Sequence, residues 1–300
     1  MMSAVSASAT AGRPQRARLS ALVRLAAVLA LAIPAASCSS LDSFHLFGQA
    51  KYEPKILPDV PATNIYDQGL ARLHSNDDKG AAKEFGELEK DYPYSRWSRK
   101  GLLMQTYSQY QGGQYVDAEA SARQYVTLYP SSKDAAYAYY LGGMSEYNSI
   151  PDVTRDQVNA NKAIVWFTEL IQKYPKSEYV KDAKFKIRVA RDQLAGKDME
   201  IGRYYLKRRE YTAAINRFHD VLAKYQTTRQ TKEALYRLTE AYLAMGITSE
   251  AQTAAAVLGH NYPDSRWYKS AYALLKGGGL RPNEDRGSWI SKVFRKVGLG

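Results

Sequence analysis

The chain has 300 residues, 45% of them hydrophobic and 24% charged, the balance of an ordinary globular protein. Its single cysteine, Cys38, excludes an intramolecular disulfide and any cysteine-based zinc site. Net charge is +12; without the four leader arginines (Arg13, Arg16, Arg18 and Arg24) the remainder still carries +8, a bias toward anionic surfaces that names none.

Those arginines precede a short apolar run, LAAVLALAI at 25–33, and Pro34. Basic start, apolar middle and small residues at a cut make a secretory signal. The 13 residues from 25 to 37 are too few to span a bilayer, which takes roughly 20. Ala35-Ala36-Ser37-Cys38 resembles the lipobox of bacterial lipoproteins, with Ala35 where leucine is usual. That resemblance implies a lipid on Cys38, a signal peptide over 1–37 and, with Ser39 next, sorting to the outer membrane. Residues 38–62, with Pro54, Pro58 and Pro61 and no sustained period, are expected to be an extended tether.

From there a phrase recurs: Tyr92-Pro-Tyr-Ser, Tyr129-Pro-Ser-Ser, Tyr174-Pro-Lys-Ser, Tyr225-Gln-Thr-Thr and Tyr262-Pro-Asp-Ser, at intervals of 37, 45, 51 and 37. Upstream of each, in one register, stand Ala81, Ala118, Ala163, Ala214 and Ala251; then Phe85, Ala122, Phe167, Phe218 and Ala255; then Leu88, Tyr125, Leu170, Val221 and Leu258. Gly69 and Gly202 lie further back in two repeats. Spacings of three and four put these residues on one helix face, and small residues let two helices approach. The proline stops the second helix of each pair, and the following Ser or Asp can cap the next.

The pattern resembles the tetratricopeptide repeat over 64–263. The expected fold is all-α: a superhelical solenoid of about five helix pairs over 63–275, closed by a capping helix at 264–275. Residues 149–161 read as an insertion in the third repeat. Residues 177–194 read as an extra or extended helix, with Gly196 as its break. A basic tail, 276–300, follows; in its last part Trp289, Ile290, Val293, Phe294 and Val297 share one face beside Lys292, Arg295 and Lys296. That tail is expected to meet a partner or anionic headgroups, fold back on the solenoid end, or stay disordered.

No catalytic signature is present: no Gly-x-Ser-x-Gly elbow, no His-Glu-x-x-His, no phosphate-cradling loop. His45, His74, His219 and His260 are scattered and read as surface or packing residues, so neither catalytic residues nor metal ligands are assigned. The chain reads as a scaffold and not an enzyme, with no cofactor besides the covalent lipid on Cys38. Many of the 24 tyrosines fall at repeat positions (Tyr107, Tyr139, Tyr140, Tyr204, Tyr205, Tyr242), where they pack between helices or line a peptide groove.

Lipobox, proline-rich tether and five such repeats together resemble the BamD (ComL) family, lipoproteins of the outer-membrane β-barrel assembly machinery. Asn64-Ile65-Tyr66, Tyr174-Pro-Lys-Ser-Glu-Tyr179, Arg191-Asp-Gln-Leu-Ala195 and Tyr204-Tyr205 followed by Arg209, Tyr211, Ala213 and Asn216-Arg217 carry the likeness. The resemblance implies a non-catalytic scaffold that binds BamA, other machinery subunits and unfolded outer-membrane β-barrel proteins, lipid-anchored at the periplasmic face; the secretory signal argues against nucleic acid as a partner. It implies a substrate-peptide groove in the first repeats, where Tyr66, Tyr92, Trp97, Tyr107 and Tyr110 stand with Arg96, Arg99 and Lys100; Tyr92 also belongs to the repeat phrase. It implies that Arg217 contacts an acidic residue of BamA, against a plain reading as a solvated helix arginine. Two alternatives compete: a periplasmic adaptor coordinating cell division or Tol-type envelope processes, and a peptidoglycan-active lipoprotein enzyme, for whose domain the roughly 35 residues after Pro263 leave no room.

Overall fold

The computed structural model describes residues 60–93 and 95–296, which form twelve helices and no strand. Ten of them pair in chain order: α1 (Ala62–His74) with α2 (Asp78–Asp91), α3 (Arg96–Gln111) with α4 (Tyr115–Leu128), α5 (Ala135–Asn148) with α6 (Val158–Lys173), α7 (Val180–Lys207) with α8 (Tyr211–Lys224), and α9 (Thr231–Ala244) with α10 (Thr248–Asn261). α11 (Arg266–Gly277) caps the fifth pair, and α12 (Trp289–Lys296) follows. From α1 to α11 each helix packs on its neighbours in sequence, α12 packs on α10 and α8, and α1, α3, α5 and α7 also touch in succession. The fold is the tetratricopeptide-type solenoid expected from the repeat.

The repeat register explains the core. All fifteen Ala, Phe/Ala and Leu/Tyr/Val positions aligned above are completely buried. Each phrase tyrosine ends the second helix of its pair: Tyr92, Tyr129, Tyr174, Tyr225 and Tyr262 hold similar backbone angles, and each N–H donates to the carbonyl four residues back. Tyr225 does so without a proline after it, so the proline reinforces the stop and does not create it. Ser95 and Ser265 cap α3 and α11, accepting from the N–H groups of Ser98 and Trp267.

Glycine appears where two helices must touch. A β-carbon on Gly69 would lie 2.6 Å from the Phe85 ring, and one on Gly202 would lie 2.4 Å from Phe218. Gly143 meets Phe167 in the same way in the third pair, where the insertion displaces it from the common spacing.

Gly196 does not break a helix. α7 runs unbroken through it for 28 residues. The third-repeat insertion folds back onto this point: a β-carbon at Gly196 would come 3.0 Å from Val153 Cγ2, and Lys197 Nζ donates to the Thr154 carbonyl at 2.5 Å. A glycine that looked like a hinge is thus a seat for a loop.

Of the settings open to the C-terminal stretch, the structure shows it folded back. Ile290 and Phe294 of α12 are buried against α8 and α10. Trp289 lies 4.5 Å from the His219 ring and donates from Nε1 to the Tyr242 hydroxyl at 3.0 Å. Val297 lies outside the described residues, as do the leader, Cys38 and nearly all of the tether.

Candidate functional site

The first repeats hold an aromatic cluster at the junction of α1, α2 and α3. The Tyr66 ring sits 5.1 Å from Trp97 and 5.5 Å from Phe85. Phe85 is core, while Tyr66 and Trp97 keep part of their surface exposed. Arg96 and Lys100 lie over the Trp97 ring at 5.3 and 5.1 Å, so the indole has a basic rim. Arg99 is exposed on the same helix. Burial, with Asp67 nearby, pushes the Tyr66 hydroxyl pKa up and keeps it a neutral donor. Tyr92 packs against this cluster, and its hydroxyl donates to the Val60 carbonyl at 2.6 Å. It thereby ties the chain entering α1 to the end of α2. Tyr174 makes the equivalent tie to the Pro130 carbonyl, which gives this phrase residue a structural use in two repeats.

Tyr107 and Tyr110 do not join that cluster. They lie beside Tyr137, in a second aromatic group shared by α3, α5 and the turn before α7. There Tyr179 stacks on Tyr140 at 4.8 Å and sits 5.3 Å from Tyr137. The Tyr140 hydroxyl donates to Asp182 at 2.8 Å, and Asn148 Nδ2 donates to the Tyr110 hydroxyl at 3.0 Å. Burial drives the Tyr137 and Tyr140 pKa values far above the ordinary tyrosine range. A cleft of about 560 Å³ opens beside Tyr137 and Tyr179, edged by Lys133 and Lys176. The repeat pattern alone did not single out Tyr137 and Tyr179. Tyr179 ends the phrase that begins at Tyr174, and that position was the available signal.

Arg217 lies on α8, partly exposed, with Nη1 3.4 Å from Asp198 Oδ1. Asp198 is largely covered. Desolvation first, then Asp220, raises its pKa, and Arg217 only partly opposes them. The guanidinium is therefore loosely held at long range and keeps donors free for another carboxylate.

Comparison with known proteins decides the family. The family described as YfiO, outer membrane lipoprotein, matches residues 58–258. An outer membrane protein assembly factor BamD of Caulobacter vibrioides is 43% identical over 260 residues, covering 87% of this chain and 82% of the relative. The chain belongs to the BamD family. The Rickettsia prowazekii BamD is 42% identical over 217 residues, 72% of this chain and 86% of its own. The solved TPR2AB-domain:pHSP90-complex of yeast Sti1 aligns with 79% of this chain and 98% of its own at a TM-score of 0.37 and 10% identity. The fold assignment rests on the helix pairs themselves and not on that likeness.

As a BamD-family protein the chain is an outer membrane protein assembly factor associated with the outer membrane. Among the described residues no group of three His, Cys, Asp or Glu side chains is placed to hold a metal, and no helix is long and apolar enough to cross a membrane.

Proposed function

We propose that this protein is a non-catalytic, lipid-anchored scaffold of the β-barrel assembly machinery that binds BamA and receives unfolded outer-membrane proteins. In this reading residues 1–37 are a signal peptide, Cys38 carries the lipid, and residues 38–62 tether the repeat domain at the periplasmic face. The observation that carries the substrate site is the Tyr66–Trp97 pair under Arg96 and Lys100. An aromatic platform with a cationic rim suits an extended segment that ends in an aromatic residue and a carboxylate. The second group, Tyr107 and Tyr110 with Tyr137 and Tyr179, extends the aromatic surface toward the third repeat. Tyr92 supports the platform from below, through its tie to Val60.

Arg217 is the proposed contact for an acidic residue of BamA. Its weak hold on Asp198 supports this role. Arg217→Ala is expected to weaken BamA binding at least about tenfold, the scale of a hydrogen-bonded charge pair at an interface, with an unchanged helical spectrum. Unaltered affinity in a direct titration removes Arg217 from the interface. For the function as a whole, the protein is purified from solubilised envelopes and its companions are identified by mass spectrometry. Recovery of a large outer-membrane barrel with periplasmic repeat domains supports the proposal. Recovery of division or Tol-type proteins without that barrel overturns it.

A further inference from the structure

Charge is distributed unevenly along this chain. Residues 266–300 hold eight Lys and Arg against two Asp and Glu, a net +6, whereas everything beyond the signal carries +8. The structure gathers this charge around one helix. α11 packs on α9 and α10, and α12 packs on α10 and α8. The linker between them is pinned to α10: Gln252 Nε2 donates to the Arg281 carbonyl at 2.7 Å, the Asp285 N–H to Thr253 Oγ1 at 3.0 Å, and Ser288 Oγ to Glu250 at 2.6 Å. Arg266, Lys269, Lys276, Arg281, Arg286, Lys292 and Arg295 are all exposed. None of the seven has an ion-pair partner among the described residues.

The arrangement on α11 is directional. At 100° per residue, Arg266, Lys269 and Lys276 fall within an arc of about 80°, on the side opposite buried Ala271 and Leu275. Tyr272 and Leu274, both substantially exposed, flank that arc on its two edges. The result is a helix face with cations along its middle and an aromatic and an aliphatic side chain on its shoulders. α12 cannot insert into a bilayer while Ile290 and Phe294 are spent on the core, but its Lys292 and Arg295 remain outward.

We propose that the exposed cations of residues 266–295, led by the α11 arc, dock this end of the solenoid against an anionic phospholipid surface by charge, without insertion. Arg286 and Arg295 edge a small recess of about 200 Å³, but Glu284 lines it too and opposes an acidic side chain there; the other five cations stand outside it on open surface. They match a surface of diffuse negative charge, toward which each Lys or Arg contributes about 1 kcal/mol when close. Tyr272 and Leu274 suit the headgroup region, where amphipathic rings and short apolar contacts are accommodated. Such a contact adds a second attachment to a protein of the outer membrane and fixes the end of the solenoid far in sequence from Cys38.

The test uses the full mature chain with Cys38→Ser, so that no lipid contributes. Its sedimentation with vesicles of phosphatidylcholine alone is compared with that on vesicles also containing phosphatidylglycerol. Binding is expected only with the anionic lipid, and it falls as salt rises. Changing Lys269, Lys276, Arg281 and Lys292 together to Gln is expected to weaken it at least about thirtyfold. Changing Lys79, Lys83, Lys90 and Lys184 to Gln removes the same charge elsewhere and is expected to have little effect. All eight side chains are exposed, and circular dichroism checks that each variant folds. No preference for anionic vesicles, or equal losses in the two variants, overturns the proposal. The outcome is independent of whether BamA is bound.

Discussion

Two residues show how local chemistry sets measurable behaviour. Asp198 is a covered carboxylate whose pKa is raised by desolvation and by Asp220, against the pull of Arg217. A carboxyl group with a raised folded pKa costs stability while ionised, and that cost disappears as pH falls through the folded value. Asp198→Asn is therefore expected to raise the melting temperature at neutral pH, with the gain shrinking in acid. A lower melting temperature at neutral pH would mean that the Arg217 pair outweighs desolvation. The second residue is Arg209. It has φ 62°, in the left-handed region, and so does Asn76 at φ 60°. Gly113 and Gly246 hold φ 73° and 76°. All four stand sixteen residues before a phrase tyrosine, at the turn inside a helix pair. Only arginine pays the full steric cost of a long side chain there, so Arg209→Gly is expected to stabilise the protein by about 1 kcal/mol. Chemical denaturation measures this, and a loss of stability would show that the Arg208–Glu210 pair beside it depends on the native turn. Asn76, Gly113 and Gly246 are residue types that accept this angle, so three of the four turns carried a sequence signal; Arg209 carried none, because the constraint there is on the backbone and not on the side chain.

At the level of helices, the register exposes an exchange of volume. Where the second helix carries Phe85, Phe167 or Phe218, the first carries Gly69, Gly143 or Gly202 against the ring. Where the second helix carries Ala122 or Ala255, the first carries Thr106 or Thr239 at the same sixteen-residue step, both fully buried. Each threonine satisfies its hydroxyl on the carbonyl four residues back, at 2.8 Å for Thr106 and 3.0 Å for Thr239. Part of the volume is thereby restored, since Thr with Ala fills more than Gly with Ala would, though less than Gly with Phe. Phe218→Ala alone is expected to cost about 3–5 kcal/mol through the cavity it leaves. Gly202→Ala alone crowds the ring and is expected to cost about 1–3 kcal/mol. Gly202→Thr together with Phe218→Ala recreates the arrangement of the second and fifth pairs, and unfolding should show it more stable than Phe218→Ala. If the double variant is worse, the two helices are held apart by something other than these side chains. The register itself was legible because alanine, aromatic and aliphatic positions recur on one face. Gly143 escaped because the insertion moves it to 24 residues before Phe167. The grouping of the aromatic side chains was legible only in part for a related reason. Spacing assigns a residue to a helix face, but it does not say which neighbouring face it meets. Tyr66 and Trp97 therefore met as expected, whereas Tyr107 and Tyr110 turned toward Tyr137.

Over the described residues as a whole, burial is divided among clusters that follow one another along the chain. One joins α1 to α3, others span α3 to α7, and the largest gathers residues of α7 through α12. In such an array stability is close to a sum of local and nearest-neighbour terms, so a change at one end need not reach the other. The C-terminal segment belongs to the last cluster. Ile290 and Phe294 are buried in it, and Trp289 links His219 of α8 to Tyr242 of α9. Removing residues 280–300 exposes the surfaces they cover on α8 and α10. Each of the two buried side chains contributes about 1.5–3 kcal/mol, and the Trp289 hydrogen bond adds about 1 kcal/mol. The truncated protein is thus expected to lose roughly 4–7 kcal/mol, confined to the last pairs. Native-state hydrogen exchange can locate the loss: amides of α8, α9 and α10 should exchange faster, and those of α1 to α4 should keep their protection. Equal loss of protection everywhere would show that the pairs unfold as one unit, and the nearest-neighbour account would fail. Loss in α8 to α10 alone would mean that the Trp97 platform keeps its geometry in the truncated protein, because nothing between α1 and α3 draws on the C-terminal cluster.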